Sequence, residues 1–505
     1  SLELRDPHAD NSSPEAWAAS IEDAPWQEIT YLGRGTFTPA NDPTQYHEMI
    51  FGLLDAGEFL IDDISVIESP GGTARELIQN GTFPRDFSTW RMRGNHRHAR
   101  VVPDPDNPAN KVLHVRATGA MEHMHNHAET TLKAGGSFVS LSSSQIYQIS
   151  FRARWISGSN QLNTRLYFNR MPRTHLLEAP LDCGTPGATN SRVTANAGPT
   201  YTNLRHFPVV PRASQSAYVE ATVSDPDGIA SVTLFYSVNG GSFRSTAMRD
   251  QGNGSYRGTV PRQSGGRKVQ FYLVAEDTLG ASQLIPAGGP DSRALIPWDD
   301  GQANLDFGSC QPNNFRIVMT AADTAFMHNV TEVMSNDRLG CTIIYNEKDI
   351  YYDCGVRLKG SQRGRAKDVR VGFTVGFPDN QPFLGAHETV AVDRSGAGDQ
   401  FSQKEMLVKH IINRAGGIPC MQDDLIRVIA PRSNHTGSAI LLKSRFDDEW
   451  LENQFPDGAD GTLFEYELIY YPTSTTGGPE GLKRPNPDSV RGVAMRPTGG
   501  RRDKE

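Results

Sequence analysis

The sequence predicts several mainly β domains in tandem, followed by one mixed α+β domain. Three observations predict this. Short runs alternating between apolar and polar residues recur from residue 26 to 298, the period-two signature of half-buried strands. The 48 Gly and 32 Pro supply the turn residues that many short strands need. A convincing helical pattern is confined to the last third, above all "QKEMLVKHIINRAGG" at 403–417. A chain of 505 residues is expected to hold about three or four domains.

Taken in order, "WQEITYLG" (26–33), "YHEMIFGLL" (46–54) and "EFLIDDISVIE" (58–68) read as strands. "PGG" at 70–72 breaks the pattern. A new run opens at "ELIQNGTFPRDFSTW" and continues through "VLHVRATG", "AETTLKAG", "YQISFRARWISG" and "NTRLYFNRM". These many short strands without a helix predict β-sandwiches, over 1–70 and 74–182. "CGTPGATNSRVTANAGPT" (183–200) has a linker's composition. Residues 201–298 carry period-two runs, an "NGG" hairpin signal and a "DPDG" turn, and predict an immunoglobulin- or fibronectin-like sandwich. From 312 the texture changes. The strand "FRIVMT" leads into a helical candidate, and "CTIIYNEKDIYYDC" reads as a hairpin. The best helix follows, with Met406, Leu407, Ile411 and Ile412 as its apolar stripe and Gly416-Gly417 as its stop. "DLIRVIAP" and "GSAILLKSRF" add two strands, so 312–485 is expected to be α+β, with 486–505 a truncated tail.

A net charge of -8 and a pI near 6.0 argue against a nucleic-acid partner. No run of eighteen apolar residues is present, so no membrane span is expected. The chain starts "SLELRDPHAD" and stops at "GGRRDKE", and both ends look cut from something longer. None of the five cysteines has the CxxC spacing of a zinc site. A two-residue turn at Glu347-Lys348 would set Cys341 opposite Cys354, either as a cross-strand disulfide or as two small buried hydrophobes.

Several candidate sites stand out. "HMHNH" (123–127) offers His123, His125 and His127, with Glu122, Glu129 and "GNHRH" (94–98) nearby. Three histidines along one strand would span about 13 Å, too far for one ion; the other reading is a solvated or sugar-stacking loop. Asp62 and Asp63 are hard oxygen donors for a structural Ca²⁺, although adjacent strand residues point to opposite faces. Trp17, Trp26 and Trp90 read as sugar platforms or as core. No GxSxG, HExxH or GxxxxGK[ST] motif occurs. Finally, "VRLKGSQRGR" (356–365) packs four cations and two glycines into ten residues, as a phosphate-gripping loop or a solvated turn.

Two resemblances sharpen these readings. The pairing of "GEFLIDDISV" with a following "NGTF…W" resembles galactose-binding-like jelly rolls, as in carbohydrate-binding modules, with residues 1–70 a partial copy. "CGVRLKGSQRGRAKDVRVGFTVGF", "FLGAHETVAVDRSG", "QKEMLVKHIINRAGGIP", "DDLIRVI…HTGSAILLKSRFDDEWLENQF" and "GTLFEYELIYYPT" follow one another in an order that resembles the spore-coat protein H (CotH) kinase family, over about 315–485. That resemblance implies a kinase-like N-terminal lobe using ATP and Mg²⁺ to phosphorylate protein Ser or Thr. Arg357, Lys359, Gly360, Ser361, Arg363 and Arg365 would cover the triphosphate, with Lys367 as the strand lysine and Glu405 as its helix partner. The sequence departs from the family in reading "KD" for "KK", where Arg370 is the substitute lysine, and "LLKSRF" where an acidic residue is usual. The family's metal-holding and acceptor-activating Asn and Asp are expected beyond Glu505, so the fragment itself is expected to be inactive. The resemblance further implies an exported, modular, cell-surface protein with a glycan or protein acceptor as partner. The alternative is a non-enzymatic adhesin or glycan-binding scaffold.

Overall fold

The computed structural model describes residues 1–9, 11, 14–35, 48–121, 125–166, 170–181, 183–302, 313–329, 331–360, 365, 367–368, 371–394, 403–416, 418–437, 441–446 and 448–458, and beyond them the strand segments 463–466, 470–471, 484–485 and 495–499. The protein is mainly β and multidomain, as expected. Among the described residues no helix is long and apolar enough to cross a membrane.

The first sandwich is built from β1 (Gln27–Arg34), β2 (Glu48–Leu53), β3 (Gly57–Glu68), β4 (Trp90–Met92), β5 (Arg100–Pro103), β6 (Lys111–Ala117), β7 (Ala128–Thr131), β8 (Ile146–Gly158), β9 (Gln161–Leu166) and β10 (Arg170–Leu176). One sheet runs β10–β9–β2–β7–β4 and the other β1–β8–β3–β6–β5. Alternation sets the faces. On β8, Tyr147, Ile149, Phe151, Ala153 and Trp155 are buried against Phe51, Phe59 and Leu113 of the same core. The division expected at 70–74 is corrected here. Strand β3 lies between β8 and β6, and β2 between β9 and β7, so both sides of the "PGG" share two sheets and one core. The break is only a turn within a sheet, closed by Gly72 N–H donating to Ser69 O (2.8 Å) and returning Arg75–Glu76 alongside Ile67–Glu68. The segment expected to be a linker is pinned as well: Thr185 and Ser191 hydroxyls donate to Glu3 (2.6 and 2.7 Å).

The second sandwich comprises β11 (Thr200–Phe207), β12 (Ala217–Ser224), β13 (Ile229–Val238), β14 (Arg244–Ala247), β15 (Arg249–Gly252), β16 (Ser255–Val260), β17 (Lys268–Asp277), β18 (Ser282–Ile285) and β19 (Ala294–Pro297). Its sheets run β11–β12–β16–β15 and β14–β13–β17–β18, with β19 also paired to β17. Tyr352 of the next domain is buried in this core, its hydroxyl 2.6 Å from His206 Nδ1.

The third domain is a closed barrel. Its strands are β20 (Asn313–Val318), β21 (Leu339–Tyr345), β22 (Asp349–Lys359), β23 (Gly372–Gly376), β24 (Thr389–Asp393), β25 (Asp423–Ile429) and β26 (Leu441–Lys443). They run β20–β21–β22–β23–β24–β26–β25, closed by parallel pairing of β25 with β20. Phe315, Ile343, Val356, Leu358, Phe373, Val375, Val392 and Val428 fill it. The helices are short: α1 (Ala321–Met327), started by Thr320 accepting from Asp323 N–H (3.1 Å), α2 (Gln403–Ala415) and α3 (Asp448–Gln454). The α+β module expected here is thus a β-barrel with minor helices, and its strands end at Lys443. Farther on, Leu463–Tyr466 pairs with Met495–Gly499 across the boundary expected between 485 and 486.

Cys341 does face Cys354, but not through the two-residue turn expected from the sequence. The connection holds three residues, Asn346–Lys348, with Asn346 and Glu347 at positive φ. A bulge opposite Thr342 then restores the register. Both thiols are free and buried, and burial pushes both well above the usual thiol range.

Candidate functional site

On β22, alternation sends Val356 and Leu358 into the barrel and leaves Arg357 and Lys359 on its outer wall. Gly360 follows at φ +153°, a conformation suited to glycine. Ser361, Arg363 and Arg370 lie outside the described residues. The remaining loop cations are engaged by protein. Arg357 Nη1 donates to Leu358 O (3.3 Å), and Lys359 Nζ meets Asp393 Oδ2 at 2.6 Å. Arg365 is buried and donates to Ser335 O and Asn336 Oδ1, and Lys367 pairs with the adjacent Asp368. The predicted pairing of Glu405 with Lys367 is therefore replaced by another.

That replacement is an ion ladder on the outer wall. Asp393 on β24 accepts from Lys359 and from Lys443 on β26 (3.0 Å). Lys443 also pairs with Glu405 of α2, which meets Lys409 at 2.7 Å one helical turn on. Lys409 reaches Asp423 of β25 at 3.0 Å. Gly372 makes room on the intervening strand: a Cβ there would lie 2.9 Å from Val392 O and 3.5 Å from Lys359 Cβ. Partial burial works against the Glu405 carboxylate, but Lys409 and Lys443 outweigh it and hold it below the usual carboxylate range. Burial likewise opposes the Lys409 ammonium, yet Glu405 and Asp423 raise it above the usual range.

The helix is thereby turned around. Its side toward the barrel presents Glu405, Lys409 and Ile412, while Leu407, Val408 and Ile411 are exposed. The expected stripe of Met406, Leu407, Ile411 and Ile412 is split, because charge pairs rather than apolar contact seat the helix. Lys443, Asp393, Lys409 and Asp423 were not singled out in the sequence. The signal was there: Val390, Val392 and Leu442 alternate inward, which puts Asp393 and Lys443 on the outer wall.

The other candidates resolve individually. Asp62 is fully buried, and its Oδ2 accepts from Arg152 Nη2 (2.7 Å) and Asn110 Nδ2 (2.8 Å). Asp104 shares that guanidinium (2.6 Å), Asp63 reaches its Nε (3.1 Å), and Trp26 stacks beneath it at 4.2 Å. The carboxylates expected to hold Ca²⁺ thus gather on an arginine. Trp90 is core, packed on Phe51 and Phe83 at 5.5 and 5.6 Å. Trp17 is half-buried and donates to Asn11 O (2.8 Å).

His123 and Glu122 lie outside the described residues. His127 pairs with Glu129 (3.1 Å), and His125 faces Glu332 of the barrel domain at 3.6 Å. Burial, then the nearby His127 and Arg93, bring the His125 imidazole down to about 4. Among the described residues no group of three or more His, Cys, Asp or Glu is arranged to hold a metal ion.

No family model matches the chain, and no curated protein does. Among solved structures, the chain is similar to a Br derivative of BhCBM56 at 16% identity, over 17% of this chain and 84% of that one, with a TM-score of 0.14. A DUF4785 family protein from Legionella pneumophila subsp. pneumophila str. Philadelphia 1 is 7% identical over 66% of this chain and 71% of that one (TM-score 0.16). A cycloalternan-degrading enzyme from Trueperella pyogenes is 9% identical over 48% and 30% (TM-score 0.16). At such TM-scores the likenesses carry no weight for fold or function.

Proposed function

We propose that the barrel is the nucleotide-binding lobe of a CotH-like atypical protein Ser/Thr kinase, carried on a modular extracellular protein. One observation carries this reading: Lys443, a strand lysine, pairs with Glu405 of α2, the longest helix among the described residues, beside Asp393 and Lys359. In kinase-like lobes a strand lysine held by a helix glutamate orients phosphates. The donor set suits a triphosphate with its metal. Lys359 and Lys443 offer ammoniums to phosphate oxygens, and Asp393 between them is a hard carboxylate donor for Mg²⁺. ATP would supply the phosphoryl group. The chain's own part is to fix both lysines in place, which the Asp393 and Glu405 carboxylates do.

The rival adhesin reading has less support, since Trp90 is core and Arg152 covers Trp26. Calorimetric titration with MgATP tests the proposal. Binding is expected in the wild type, and Lys443→Ala is expected to weaken it at least about tenfold, as loss of a charge-assisted contact does. Absence of heat at millimolar nucleotide would defeat it.

A further inference from the structure

The basic loop that begins at Val356 ends at Arg365, and Arg365 does not face open solvent. It is 7% exposed, and its guanidinium donates to Ser335 O and Asn336 Oδ1. Those residues belong to the turn that leads into β21. The same turn is gripped from its other side by the first sandwich, over 200 residues away in sequence. Asn126 is fully buried; its Oδ1 accepts from Asn336 N–H (2.7 Å) and Asn95 N–H (3.2 Å), and its Nδ2 donates to Met334 O (3.3 Å). One residue on, Asp337 accepts from Arg97, from Thr118 Oγ1 (2.9 Å) and from His98 Nε2 (3.0 Å).

Two backbone features serve this contact. Asn126 sits at φ +63°, a conformation Asn tolerates better than most residues. Gly94 has no Cβ where one would come 2.1 Å from Asn126 Oδ1. A turn held by Asn126 on one side and Arg365 on the other links the two mechanically.

We infer that Asn126 is a positioning residue: through the Met334–Asp337 turn it fixes Arg365, and hence the end of the Val356–Arg365 loop. The first sandwich is then a brace for the candidate site rather than an appendage. Its consequence for ligand binding rests on the nucleotide reading above.

The test uses the full chain and Asn126→Gly, which keeps the positive φ while deleting the side-chain bonds. Amide exchange is expected to rise about tenfold at 334–337 and at Arg365, Lys367 and Asp368, the scale of losing a buried hydrogen bond. Exchange in β12 and β17 should stay unchanged. Asn126→Asp keeps both accepting bonds but sets an acceptor oxygen against Met334 O, so it should restore part of the protection. MgATP affinity should fall several-fold in Asn126→Gly and recover in part in Asn126→Asp. Unchanged exchange at Arg365, Lys367 and Asp368 overturns the positioning role, as does faster exchange with unaltered MgATP affinity. If the wild type binds no MgATP, the nucleotide reading fails by itself and exchange alone decides the positioning. Should Asn126→Gly not fold, Arg365→Met makes the reciprocal prediction, lost protection at 334–337 and 93–98.

Discussion

Replacing Arg152 by Met should strongly destabilise the first sandwich. Methionine keeps the aliphatic stem near Trp26 but deletes a guanidinium that lies 2.7 Å from Asp62, 2.6 Å from Asp104 and 3.1 Å from Asp63. Asp62 and Asp104 are 0% and 2% exposed, so neither can recover water. Asp62 would keep only Asn110, and Asp104 the Asp106 N–H (3.0 Å) and a long contact to Asn110. Breaking a buried pair on one side costs about 3–5 kcal/mol. For a sandwich of this size that corresponds to a fall in Tm of about 10 °C.

The pH dependence adds a second check. In the wild type burial opposes the Asp104 carboxylate, but Arg152 and the hydrogen bonds from Asp106 N–H and Asn110 prevail and keep its pKa lowered. A lowered carboxylate pKa contributes stability above the unfolded value, about 4, and loses it as pH falls through the folded value. The gap between wild type and variant should therefore be widest near neutrality and close on acidification. Calorimetry of the full chain, with amide exchange on β3 and β8 to assign the transition, reads both. A gap below about 1 kcal/mol at neutral pH, or one that widens in acid, would show that desolvation already cancels the cluster.

Tyr352→Ala should cost about 3–5 kcal/mol by emptying a buried aromatic site, and because the ring lies in the core of the second sandwich, exchange should rise in that domain as well as in β22. His206 and His328 are held neutral, each brought down to about 4 chiefly by burial; with folded pKa below unfolded, stability should fall as pH drops from about 6.5 toward 4, and flat denaturation midpoints over that window would contradict it. Gly372→Ala should loosen the barrel by about 1–3 kcal/mol, since its Cβ meets Val392 O at 2.9 Å, and the weakened Lys359–Asp393 contact should appear as faster exchange in β23 and β24.

The strands were legible because alternation is local: "YQISFRARW" shows its inward face without reference to any partner. The sheet order was not. "PGG" at 70–72 looks like a boundary in one dimension, and only the pairing of β3 with both β8 and β6 shows that it is a turn. The candidate site divided in the same way. Arg357, Lys359, Glu405 and the helix could be picked out by residue type and period. Glu405's partner could not, because Lys443 lies 38 positions away and reaches it across the outer wall of a closed barrel. The helix stripe misled for a related reason. Amphipathicity predicts which face is apolar, but a neighbouring wall of Asp and Lys decides which face is seated.

The grip of the first sandwich on the Met334–Asp337 turn also matters if the chain is ever pulled from its ends. Tension entering at the first sandwich would pass straight into the barrel through Asn126 and Asp337, bypassing the second sandwich. The polar contact would part first, releasing slack while every sheet stayed folded, so single-molecule stretching should record a small early step before any domain unravels. Such a contact works as a mechanical fuse, and Asn126→Gly should lower the force of that step, with Asp337 still held by Arg97, His98 and Thr118, without altering the larger ruptures that follow.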